Sequence, residues 1–101
     1  MSKPRKRWWG YVRQVLYAYP RLMNHTETET EEREKEAVEA ALEGLIAWPD
    51  GKETLQIIAD VFFQRDLTLT GAALRGNMSY RTARRRQNEF IRQVGKNMGL
   101  L

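Results

Sequence analysis

Apolar side chains recur along this chain at helical intervals. Trp8, Tyr11, Val12, Val15, Leu16 and Tyr19 fall three and four residues apart, which predicts a first helix over residues 8–19. Pro20 lacks a backbone donor and is expected to stop it. A second stripe, Val38, Ala41, Leu42 and Leu45, predicts a helix running to about Ile46 or Ala47. Its start lies in the polar stretch after Met23, where Thr26-x-x-Glu29 and Thr28-x-x-Glu31 both fit a capping box. Trp48-Pro49-Asp50-Gly51 reads as a turn. Residues 52–64 then set Leu55, Ile58, Ala59 and Phe62 on one face, with Ile57, Val61 and Phe63 widening it. A belt this broad predicts a central, largely buried helix. Thr68 or Thr70 caps a short fourth helix ending at Leu74 or Arg75, and Gly76-Asn77 turns the chain. Ser79 caps a fifth helix that reaches about Gly95. No segment alternates with period two, so the expected fold is all-α with about five helices.

The fifth helix carries the strongest chemical signal. Apolar Met78 precedes Ser79, four arginines follow (Arg81, Arg84, Arg85, Arg86), and Phe90, Ile91 and Val94 come after them. At 3.6 residues per turn, Ala83, Phe90 and Val94 share an inward face, while Arg81, Arg84, Arg85 and Asn88 lie on another. A helix-turn-helix needs a small residue where its helices cross, a tight turn, an apolar residue in or after that turn, and a capped second helix. Ala73, Gly76-Asn77, Met78 and Ser79 fill those places in order, and Ala83 supplies the inward residue of the second helix. On this geometry Ser79, Tyr80, Arg81, Arg84, Arg85 and Asn88 face double-stranded DNA, with Arg75 at the end of the preceding helix. Arginine forks pair with guanine O6/N7 and asparagine with adenine. Sequence does not separate base contacts from phosphate contacts. The bland alternative is a basic amphipathic helix that only closes a bundle.

Charge adds to this picture. The net charge is +4, but residues 1–21 carry six Lys/Arg and no acid, residues 22–63 carry three bases against eleven acids, and residues 64–101 carry eight bases against two acids. Two basic ends around an acidic middle point to a polyanion partner. Residues 1–7 have no apolar periodicity and read as a basic arm. Its Lys3, Arg5, Lys6 and Arg7 suit phosphates or a minor groove. The expected division is therefore an arm at 1–7, a helical platform at 8–63 and a helix-turn-helix segment at 64–101. The acids of residues 27–36 sit at a helix N-terminus, where they complement the macrodipole, which favours a structural role over a metal site.

Other chemistries find little support. There is no cysteine, so no disulfide, thiol nucleophile or thiolate metal site is available. No apolar run approaches a membrane span and no signal-peptide pattern follows the basic N-terminus, so a cytoplasmic protein without a membrane partner is expected. The lone His25 lies in a polar loop without a ligand partner in register. Glu32 and Glu36 stand four apart without a histidine, and the glycines form no phosphate loop. No enzyme, cofactor or metal is expected. The aromatics Trp8, Trp9, Tyr11, Tyr17 and Tyr19 are more often core or interface than base-stacking groups. Trp8, Trp9, Tyr11, Tyr17 and Trp48 exceed what a small core hides, and homodimerisation is one expected use of them.

Two stretches resemble a known family. DVFFQRDLTLTGAA (60–73) followed by MSYRTARRR (78–86) is similar to the C-terminal half of the RinA/ArpU-type phage transcriptional regulators, whose helix-turn-helix is like region 4 of sigma-70 factors. WGYVRQVLYAYPRL (9–22) is similar to that family's opening helix, which commonly ends in tyrosine–proline. The resemblance implies activation of phage or prophage late genes for packaging, morphogenesis or lysis, with RNA polymerase as a partner. Gly76 departs from the apolar residue usual before the turn. Tyr80 is bulky for the first turn of a reading helix, where it meets a thymine methyl or packs on the backbone. Two rival readings stand beside this one: a small-terminase-like protein recognising a packaging site, and an interaction module whose basic ends hold an acidic protein.

Overall fold

The computed structural model describes residues 7–101, which form five α-helices and, among the described residues, no strand. The helices are α1 (Arg7–Asn24), α2 (Glu29–Gly44), α3 (Gly51–Ile58), α4 (Leu69–Arg75) and α5 (Tyr80–Asn97). A 3-10 turn, Leu45–Ala47, follows α2, and a π-turn, Ala59–Phe63, prolongs α3. No helix among the described residues is long and apolar enough to cross a membrane.

Pro20 does not end α1. The helix passes through it and runs to Asn24, although proline removes one intrahelical hydrogen bond. Leu22, 1% exposed, lies beyond the proline and gives that last turn an apolar anchor. At the other end, Arg7 is the first residue of α1 and belongs to the helix instead of an arm. Lys3, Arg5 and Lys6 lie outside the described residues.

Of the two capping boxes at the start of α2, the chain uses the second. Thr28 accepts a hydrogen bond from the Glu31 N–H at 3.1 Å, and the Glu31 carboxylate accepts from the Glu27 N–H at 2.8 Å. That backbone donor and the Arg21 guanidinium, 3.1 Å away, hold the Glu31 carboxyl below its ordinary range. Val38, Ala41 and Leu45 are buried as their spacing predicts.

The inner face of α3 differs from the predicted one. Leu55 is 43% exposed, while Thr54 and Asp60 are fully buried beside Ile57, Ile58 and Phe62. Asp60 stands three residues after Ile57, on the adjoining face, where the π-turn begins. Gln64 N–H bonds to the Ala59 carbonyl five residues back at 2.7 Å, and this wider turn shifts the register that a regular 3.6-residue repeat extrapolates.

Two apolar clusters hold the helices. The larger joins Val12, Val15, Leu16 and Tyr19 of α1 to Val38 and Ala41 of α2, Phe62 of the π-turn, and Phe90, Ile91 and Val94 of α5. Phe62 and Phe90 have no exposed surface, and each contributes about 1.5–3 kcal/mol by leaving water. The smaller cluster brings Ile57, Ala72, Ala73 and Ala83 together under Leu67, Leu69 and Met78. Thus α5 packs its first turns on α4 and its later turns on α1 and α2. The predicted platform and helix-turn-helix segment share one core through this helix. Trp8, Trp9, Tyr17 and Trp48 also pack against the larger cluster.

Candidate nucleic-acid interface

A short helix, a four-residue turn and a long helix make up the C-terminal helix-turn-helix. Thr68 caps α4 by accepting from Gly71 N–H at 3.2 Å. The turn closes through Asn77, which takes the left-handed backbone at φ 54°, and through Met78 N–H bonding to the Ala73 carbonyl at 2.9 Å. Asparagine tolerates that conformation better than most residues. Gly76 itself has φ −85°, so its position does not depend on glycine's left-handed freedom. Ala73 and Ala83, 2% and 0% exposed, allow the two helices to approach closely.

Ser79 begins α5. Its hydroxyl accepts from Thr82 N–H at 3.1 Å and donates to the Thr82 hydroxyl at 3.0 Å. The Ser79 hydroxyl hydrogen is therefore committed to the helix start. From there the helix is sharply two-sided. Ala83, Gln87, Phe90, Ile91, Val94 and Gly95 are buried, whereas Tyr80, Arg81, Arg84, Arg85 and Arg92 are exposed and Asn88 is half-buried. The outward side chains of Tyr80, Arg81, Arg84, Arg85, Asn88 and Arg92 line one shallow groove along the helix, together with Glu89.

Among the described residues, Arg81, Arg84 and Arg92 make no ion pair, and their donors point into that groove unspent. Arg92 is the member that sequence reasoning missed. It stands four residues after Asn88 and seven after Arg85, so the spacing that selected the others includes it. From Arg81 to Arg92 the helix advances about 16 Å, the rise of roughly five base pairs of duplex.

The remaining basic residues have other settings. Arg75 was expected on the DNA side, but its guanidinium stands 3.5 Å from Asp60 and 4.0 Å from Asp66, and it does not line the groove of α5. Asp60 has no exposed surface, and its Oδ1 also accepts from Gln56 Nε2 at 2.9 Å. Arg86 points away from the arginine face. Its side chain is 18% exposed, lies 5.6 Å from the centre of the Trp48 ring, and donates from Nε to Asp50 at 2.8 Å. That hydrogen bond, opposed by burial, is the chief reason Arg86 holds its proton more tightly than an ordinary guanidinium. Arg7 is exposed at the start of α1, whose neighbouring Trp8 ring packs beside Gly95. It therefore lies at the far end of α5 from Tyr80, about 22 Å along the axis.

His25 is exposed, with Glu27 at 3.8 Å. No group of three or more His, Cys, Asp or Glu able to hold a metal ion occurs among the described residues. No protein-family model, no curated protein and no solved structure matches the chain.

Proposed function

We propose that this protein is a sequence-specific double-stranded DNA-binding transcriptional regulator that inserts α5 into the major groove. One observation carries the reading: Arg81, Arg84 and Arg92, unpaired, share with Asn88 the face of a capped helix whose opposite face is core. Arginine and asparagine are the side chains whose donor patterns match guanine and adenine edges. A basic surface formed by chance would not need its guanidinium groups aligned along one face of a helix of groove-fitting width. The resemblance to RinA/ArpU-type regulators extends the proposal to activation of phage or prophage late genes, with RNA polymerase as a second partner.

Self-association belongs to the same proposal, because a single small reading helix gains affinity and specificity when doubled about a two-fold axis. With most of the large aromatics packed on the core, the surface for it is a groove lined by Leu42, Leu45, Ile46, Trp48, Pro49 and Leu55. Ile46 is 90% exposed there.

Repeated selection of duplexes from a random-sequence library tests DNA binding. The expected result is an enriched motif that the full-length protein binds far more tightly than a scrambled duplex. Arg81→Ala, Arg84→Ala and Arg85→Ala combined should abolish that preference while the helical circular-dichroism signal persists. A folded triple variant that binds undiminished would exclude α5 as the reading helix. A reporter placed downstream of the motif then gives the direction of regulation.

A further inference from the structure

The arginine face of α5 carries one acid, Glu89, and its setting explains its presence. Asp50, at the start of α3, accepts from Arg86 Nε at 2.8 Å. Arg86 Nη1 in turn donates to both Glu89 oxygens, at 3.1 and 3.5 Å. The Glu89 carboxylate stands 3.8 Å from Nε of Arg85 on its other side. Four charged groups thus run in alternating sign from the α3 turn to the outward face of α5.

An isolated exposed pair four residues apart on a helix orders its side chains only weakly. This one is different because its acid is anchored. Arg86, mostly buried beside Trp48 and fixed by Asp50, holds Glu89 in place before Arg85 approaches it. Asp50 occupies the cap position of α3 but makes no capping bond to the backbone; its carboxylate accepts instead from Arg86 and, at 3.4 Å, from the Thr54 hydroxyl. An arginine ordered before its ligand arrives loses less freedom on binding. The same carboxylate repels phosphates, which weakens attachment to every duplex alike and leaves the preference between duplexes to the orientation of Arg85.

Resting on the DNA-binding reading, we infer that Glu89 is a positioning residue that orients Arg85 toward a base edge and, through Arg86 and Asp50, ties DNA discrimination to the α3 turn. Lysine at position 86 keeps the charge but, as a point donor, lacks the fork that spans Asp50 and Glu89.

The test compares the duplex enriched by selection with a scrambled duplex of equal length, using binding anisotropy of the full chain. Glu89→Gln should bind the scrambled duplex more tightly, yet its preference for the selected duplex should fall about five- to tenfold, the scale of one well-oriented base contact. Arg86→Lys should reduce the preference in the same direction without the gain on scrambled DNA. In an Arg85→Ala background, Glu89→Gln should change the preference no further, because the two act as a unit. Unchanged preference in Glu89→Gln, or losses that add in the double variant, would overturn the positioning role even if Arg84→Ala still weakens binding. Failure of selection to enrich any duplex would overturn the DNA-binding reading and this inference with it.

Discussion

Arg75 Nη1 stands 3.5 Å from Oδ1 of Asp60, a carboxylate without any solvent exposure. The contact fastens the last residue of α4 to the π-turn after α3. The Asp60 backbone carbonyl accepts from Asp66 and Leu67 N–H groups at 3.2 and 3.4 Å, so one residue also organises the loop into α4. Arg75→Ala leaves a buried carboxylate with Gln56 as its side-chain partner. The expected loss is about 1–3 kcal/mol, kept below the cost of a fully buried pair by the half-exposed guanidinium. Arg75→Lys should recover part of it. Denaturant unfolding of the three proteins measures the difference, and equal stability of wild type and Arg75→Ala would remove the tether.

Two glycines should respond oppositely to alanine. A Cβ at Gly51 would lie 1.9 Å from the Leu45 carbonyl oxygen, whereas one at Gly10 meets nothing within 4 Å. Gly51→Ala must push backbone apart at the start of α3 and should cost at least the roughly 1–3 kcal/mol of an overpacked core. Gly10→Ala, within α1, should stabilise by about 0.5–1 kcal/mol through helix propensity. Thermal melts of both variants check the sign as well as the size.

Alkaline pH should loosen the α1–α2 contact. Tyr11 donates its hydroxyl proton to Glu34, and this hydrogen bond, followed by burial and the Glu34 charge, pushes the phenol from 10.0 up to about 12. A group whose folded value is raised stabilises fully below its unfolded value and loses that contribution as pH climbs through the folded value. The window is therefore from about 10 to about 12. Stability of the wild type should fall across it more steeply than that of Tyr11→Phe, as read from denaturation midpoints. Parallel curves would show that Tyr11 carries no linkage.

Light scattering at micromolar concentration should report a dimer, and Ile46→Asp should return it to monomer. Because Ile46 is 90% exposed, the substitution should change stability by less than about 0.5 kcal/mol. A wild-type mass that stays monomeric, free and on the selected duplex, would discard the two-fold model and turn the same groove toward RNA polymerase.

Local patterns made most of the fold legible. Ala83, Phe90 and Val94 are buried as helical spacing requires, and Thr28 and Ser79 cap the helices their sequence context marks. What escaped was governed by distant partners. Nothing near Pro20 announces that Leu22 will anchor another turn. Nothing near Asp60 announces the widened turn that follows it or the Arg75 that its buried carboxylate meets. Periodicity separated Arg86 from the other arginines, but its partner Asp50 lies thirty-six residues away in sequence. Arg92 was legible in the spacing and was overlooked because the arginine cluster ended six residues earlier. The candidate face was therefore readable from one helix alone, while the charged chain behind it needed the fold.

The two-sidedness of α5 separates two kinds of change. Positions 81, 84, 88 and 92 contact little of the core, while 83, 87, 90, 91 and 94 are confined within it. Substitutions on the outer set can accumulate at small cost in folding, so under the proposed DNA-binding function target preference can drift through successive single replacements while the scaffold is inherited unchanged. Position 85 is the exception. A new residue there inherits Glu89, and under the proposed positioning role retargeting through it requires two replacements to move together.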